Sequence, residues 1–108
     1  MEIQFPVRGK PPYKQSNAGP QEKANQVHYR KTLVEEAKKH FPNPLSSKLA
    51  IEIIYTRAKG GMDAANIIGG IADSLEGIAY PDDGLIIEVH YKEHEGTIDE
   101  YLVKISSR

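Results

Sequence analysis

Apolar and polar positions repeat with a period of two in some stretches of this chain and with a helical period in others, and the alternation divides it into elements. Ile3, Phe5 and Val7 share one side of a first strand, Glu2 to Val7. Pro6 removes a ladder hydrogen bond, so this strand lies at a sheet edge or ends there. A helix is predicted from Gln21 to Phe41, with Ala24, Val27, Lys31, Val34 and Phe41 as its inward stripe and Leu33 and Ala37 widening it. Lys38, Lys39 and His40 suit the negative end of the helix dipole, and Pro42 stops the helix. Leu49 to Thr56, LAIEIIYT, is a β-branched run and reads as a central strand.

Asp63 is a good N-cap for a second helix, which runs to Leu75 or Glu76 and buries Ile67, Ile71 and Leu75 at spacings of four. Gly69 and Gly70 lie inside it. Each costs about 1 kcal/mol relative to Ala, so a close approach is expected there, foremost from packing within the domain. Tyr80-Pro81-Asp82-Asp83-Gly84 is a turn. Leu85, Ile87, Val89 and Tyr91 then alternate with Ile86, Glu88, His90 and Lys92, a half-buried strand. Glu95-Gly96 is expected to close a hairpin to a last strand within Thr97 to Ile105. The order β-α-β-α-β-β predicts a single small α/β domain spanning 1–108, with a mixed sheet of about four strands and two helices.

Composition narrows the class. At 108 residues the chain has room for one core but not two. It contains no cysteine, which excludes disulfides and thiolate chemistry. No apolar run approaches the roughly 20 residues of a membrane span. The opening MEIQFPVRGK lacks the pattern of a signal peptide, so a cytoplasmic location is expected. The net charge of −1 divides unevenly: residues 1–60 hold 11 Lys or Arg against 5 Asp or Glu, and residues 61–108 hold 3 against 10. A basic segment suits phosphate and an acidic one suits cations. The segment 8–20, rich in Pro and Gly, reads as a flexible basic loop, with Arg8, Lys10 and Lys14 around Tyr13.

The candidate chemistry sits between Arg57 and Lys92. Asp63 before the second helix and Asp82 with Asp83 after it are carboxylates on separate loops, the donor type a divalent cation needs if the fold brings them together. Taken singly, Asp63 is an ordinary helix cap, Asp82-Asp83-Gly84 an ordinary turn, and Asp73 an ordinary solvated carboxylate. His90 and His94 stand four apart, but on a strand and its turn they do not share a face. The chain has no nucleophile-base pair, P-loop or dinucleotide-binding glycine pattern.

The order of Asp63 and Asn66, then Asp73-Ser74-Leu75-Glu76-Gly77, then Tyr80-Pro81-Asp82-Asp83, then a strand ending in Lys92, resembles the RusA family of Holliday junction resolvases. The basic opening with Pro11, Pro12 and Lys14 resembles that family too. The resemblance implies a homodimeric, Mg²⁺-dependent endonuclease acting on branched or duplex DNA, of a kind frequent in phages and prophages. It implies Asp63 and Asp83 as catalytic metal ligands supported by Asp82, and Asn66 and Lys92 as further motif positions. Lys10, Lys14, Arg57 and Lys59 become the candidate phosphate contacts. The family motif D-x-D-N-x-x-K is incomplete: Ala65 stands at its second Asp and Gly69 at its Lys. A lysine beside a metal site stabilises developing charge, and Lys59 or Lys92 would have to replace it. Two other readings stay open, a junction-binding protein without catalysis and a small interaction module with no nucleic-acid role.

Overall fold

The structure, a computed structural model, describes residues 1–14 and 19–108. Its elements are β1 (Glu2–Arg8), α1 (Pro20–Lys38), β2 (Leu49–Arg57), α2 (Ala64–Leu75), a 3₁₀ turn (Asp83–Leu85), β3 (Ile86–Glu95) and β4 (Glu100–Ser107). This is the expected β-α-β-α-β-β order. The four strands form one mixed sheet in the order β1-β4-β2-β3, with β2 and β3 parallel and the other neighbours antiparallel. β1 is an edge strand, as Pro6 requires, and it continues through the proline to Arg8.

The register puts the core on one face of the sheet. Phe5 and Ile53 both oppose Val103, Val7 and Tyr55 both oppose Tyr101, and Ile51 opposes Ile105. All of these are buried, and they pack with Leu33 and Ala37 of α1 and with Ile67, Ile71 and Leu75 of α2. Truncating such a residue, Ile53 for instance, costs roughly 2–5 kcal/mol. Both helices therefore cover one face, and Glu52, Ile54 and Thr56 of β2 alternate onto the other.

Three expectations fail, one of them the apolar side of β3, where Ile87 and Val89 are exposed. α1 does not bury the Ala24, Val27, Lys31, Val34 stripe: Val27 is 68% exposed, and only Leu33 and Ala37 are buried. The half-buried residues of its first turns are Glu22, Asn25, Gln26 and Tyr29. The inward face there is polar, so the apolar spacing pointed to the wrong side. Glu95-Gly96 also does not close a hairpin, because β2 lies between β3 and β4. The connection instead crosses the end of β2. Gly96 N–H donates to the Arg57 carbonyl, and Gly96 lies so close to the Thr56 methyl that no Cβ fits there. Strands two places apart are about 9.6 Å from each other, a gap that four extended residues span easily.

Of the two interior glycines of α2, Gly70 has the expected cause. The backbone of Pro12 and Tyr13 runs directly over Gly70, where a Cβ would collide with main-chain atoms. Pro11 and Pro12 are buried, Tyr13 N–H donates to Gln26 Oε1 at 3.0 Å, and Lys14 N–H donates to the Asn66 carbonyl at 3.0 Å. The part of the basic loop up to Lys14 is thus a strap held between the two helices. Residues 15–18 of that loop lie outside the described residues. Gly69 faces only the Lys14 side chain, whose Cδ would stand 3.2 Å from an added Cβ.

The two glycines should respond differently to alanine. Gly70→Ala forces backbone apart and should lose about 1–3 kcal/mol. Gly69→Ala asks only a flexible side chain to move and gains helix propensity, so it should be neutral or stabilising by up to about 1 kcal/mol. Urea denaturation followed by circular dichroism separates the two; equal losses would mean that the strap does not set the requirement.

Candidate functional site

α2 carries candidate chemistry at both ends. At its N-terminus Asp63 is the N-cap, with its carboxylate accepting the Asn66 backbone N–H at 3.0 Å. At its C-terminus the chain turns back through Gly77, whose N–H donates to the Tyr80 carbonyl. Tyr80 is buried, and its hydroxyl donates to the Ala72 carbonyl at 2.6 Å, which ties the turn to the helix. Burial, followed by the nearby Asp83, Glu76 and Asp73 charges, pushes this phenol up from its ordinary value. Asp82 caps the 3₁₀ turn by accepting the Gly84 N–H at 2.9 Å. Asp83 donates its backbone N–H to Glu76 Oε1 at 3.3 Å.

These contacts gather three carboxylates. Asp73, Glu76 and Asp83 each place one oxygen within 4.8 Å of the other two. Asp73 also accepts from Arg30 of α1 at 2.6 Å, a cation at the edge of the acidic group. Asp63 is not in this cluster. It caps one end of a 12-residue helix, and Asp83 contacts the other end, about 18 Å away at 1.5 Å per residue. Between them Ala65 and Gly69 bring no side-chain donor. Hard oxygen donors in such a group suit Mg²⁺, and among the described residues Asp73, Glu76 and Asp83 form a group of carboxylates close enough to share one cation.

Around the N-terminal end of α2 lies a different surface. A cavity of about 210 Å³ is bounded by the strap (Lys10, Tyr13), the first turns of α1 (Glu22, Tyr29), the end of β2 (Tyr55, Arg57) and Ile67 of α2. Tyr55 donates to Asp99 at 2.8 Å, and Asp99 also accepts the Ala58 N–H, which fixes the start of the loop after β2. Burial, with Asp99 adding to it, raises the Tyr55 phenol, and burial likewise raises Tyr29 with Tyr13 and Asp99 contributing.

Arg57 stands over the Tyr55 ring at 5.1 Å. Its guanidinium donates twice to Glu93 (3.0 and 2.8 Å), once to the Gly60 carbonyl and once to the Met62 carbonyl, both at 2.8 Å. Four of its five donors are engaged, two on the loop carbonyls and two on Glu93 of β3. Lys10 and Lys14 flank the strap and Lys59 is exposed in the loop, so these three cations surround the N-terminal half of α2. Lys92 opposes Ile54, on the sheet face away from both helices.

The sequence of this frame, from the first core strand to the last, matches the endodeoxyribonuclease RusA family over residues 5–106. The chain belongs to the RusA family. No curated protein sequence matches it. Membership places this RusA-family chain among Holliday junction resolvase-like nucleases, whose substrate is branched DNA and which are generally metal-dependent. Among the described residues no helix is long and apolar enough to cross a membrane.

Sequence reasoning missed Asp73 and Glu76 as companions of Asp83, although their i,i+3 spacing at the helix end was a usable signal. It also missed Glu93 and Asp99, which act through tertiary contacts without a local signature.

The Arg57–Glu93 pair gives a pH test. The Arg57 hydrogen bonds, then that of Tyr91, hold the Glu93 carboxyl below its ordinary value of 4.5. A depressed carboxylate stabilises the fold above its unfolded value, and that contribution is lost as pH falls through the folded one. Glu93→Gln should lower stability by roughly 0.5–1 kcal/mol at pH 7, after allowance for solvent screening. In thermal melts the gap from the unmodified chain should close below pH 4.5; a constant gap would show that the pair is not its origin.

Proposed function

We propose that the chain is a metal-dependent endonuclease for branched DNA, with its cation held by Asp83, Asp73 and Glu76. The observation that carries this reading is the convergence of three carboxylates on the Asp83 turn, in a chain whose family cuts such DNA. Mg²⁺ bound there supplies Lewis-acid polarisation of a phosphodiester and a more acidic water. Asp82 shapes the turn that presents Asp83, and Arg30 holds Asp73 in place. Lys10, Lys14 and Lys59 take the phosphate backbone. Lys14, lying along Gly69, occupies the place of the missing motif lysine better than Lys59 or Lys92 does.

A second reading, a junction-binding protein without cleavage, draws support from Asp63. This carboxylate is engaged as a cap at the far end of α2, and Ala65 and Gly69 bring no donor toward it. One experiment separates the two readings. A synthetic four-way junction is incubated in Mg²⁺ and then Mn²⁺ with the unmodified chain, Asp83→Asn and Asp63→Asn. Asn caps a helix about as well as Asp, so Asp63→Asn removes charge without removing the cap. Cutting near the branch that falls on the order of 100-fold in Asp83→Asn and stays near normal in Asp63→Asn is expected. Binding without cutting by every form would establish the second reading, and cutting abolished by Asp63→Asn would return the metal to Asp63.

The proposal includes a homodimer. β3 is a ten-residue edge strand whose outer side pairs with no described strand, and it exposes Ile87 (60%) and Val89 (45%). Pairing of two such edges about a two-fold axis covers both residues. Sedimentation should give a dimer for the unmodified chain and a monomer for Val89→Lys; a dimer in both would place the interface elsewhere.

A further inference from the structure

The acidic cluster at the C-terminal end of α2 holds more negative charge than one divalent cation balances. Asp73, Glu76 and Asp83 each bring a carboxylate oxygen within 4.8 Å of the other two, and Asp82 precedes Asp83 in the same turn. These four carboxylates and one divalent cation sum to −2, which repels a phosphodiester coming up to the metal. A cation of the protein beside the cluster offsets that repulsion. α2 supplies none, since it has no Lys or Arg between Ala64 and Leu75. Among the described residues the Lys or Arg that forms an ion pair with any of the four carboxylates is Arg30 of α1.

Arg30 Nη2 donates to Asp73 Oδ2 at 2.6 Å, the one hydrogen bond of this side chain among the described residues. A guanidinium carries five donors in a planar fork. The side chain is 53% exposed, so part of that fork is open to solvent beside the carboxylates. An exposed ion pair of this kind adds little to stability. An open fork anchored at a metal cluster suits the oxygens of a phosphate, which Arg takes two at a time.

Resting on the metal reading above, we infer that Arg30 is a substrate-binding residue. Its open donors take the DNA phosphate that approaches the cluster, and its bond to Asp73 aims the guanidinium. This role has opposite consequences for metal and for DNA. Arg30→Gln removes a positive charge from beside a cation site, so the metal binds more tightly. It also removes a phosphate partner, so DNA binds less tightly. A residue that only held Asp73 in place would weaken the metal when lost.

The test uses the full chain with Mn²⁺ alone, titrated by electron paramagnetic resonance. A labelled four-way junction is then followed by fluorescence anisotropy in EDTA and in Ca²⁺. Gln has nearly the helix propensity of Arg, so the fold is kept, and Lys31→Gln removes the same charge from the next residue. Arg30→Gln should bind Mn²⁺ about 5-fold more tightly and lose about 10-fold of the junction affinity that Ca²⁺ adds. Lys31→Gln should leave both near normal. Unchanged or weaker Mn²⁺ binding by Arg30→Gln overturns the role, since the arginine would then only brace Asp73. A Ca²⁺ increment that is absent from the unmodified chain, or lost in both variants or in neither, also removes the Arg30 role and leaves the metal site standing. Equal Mn²⁺ binding by the unmodified chain and Asp83→Asn, or none by either, overturns the metal site and the Arg30 role together.

Discussion

The contact on which the rest of this molecule depends is the passage of the Pro12–Tyr13 backbone across Gly70. A side chain at residue 70 would push the strap off α2, and with it the anchors to Gln26 of α1 and Asn66 of α2. The strap joins the two helices above the sheet. It also carries Lys10, Tyr13 and Lys14 to the N-terminal end of α2. The costly glycine at residue 70 is therefore the local signature of a tertiary requirement, and the surface that the strap builds carries Lys10 and Tyr13 beside Tyr29.

α2 then works as a spacer between two chemistries. Its N-terminal end has lysines, tyrosines and an arginine fixed by Glu93; its C-terminal end has Asp73, Glu76 and Asp83. The acidic end gathers three carboxylates, whereas at the other end the cations stand among Asp63, Glu22 and Glu93.

What could be read in advance was what local physics decides. The cap at Asp63, the buried face of Ile67, Ile71 and Leu75, the turn at residues 80–84 and the edge position of β1 each follow from a few neighbouring residues. The inward face of α1 could not be read at its first turns, where Gln26 and Tyr29 are half-buried while Val27 stays exposed. A polar cavity reverses the usual rule there. Strand neighbours were illegible for another reason: alternation says which side of a strand is buried and not which strand lies beside it, so the insertion of β2 between β3 and β4 left no trace in the pattern. The acidic site was half legible. Asp83 stood out by its motif, whereas Asp73 and Glu76 meet it through tertiary bonds, from the Tyr80 hydroxyl to the Ala72 carbonyl and from the Asp83 N–H to Glu76.

The placement of β4 also bears on how the chain reaches this fold. β4 lies between β1 and β2, and among the described residues β1 pairs with no other strand, so Glu2 finds its place opposite Ser106. The sheet closes through contacts about a hundred residues apart, a high contact order that slows folding. During synthesis β1, α1, β2 and α2 emerge with the central slot of the sheet still empty. Until the last strand arrives, the inner edges of β1 and β2 stay unpaired, so the assembly step most exposed to misassociation is also the final one.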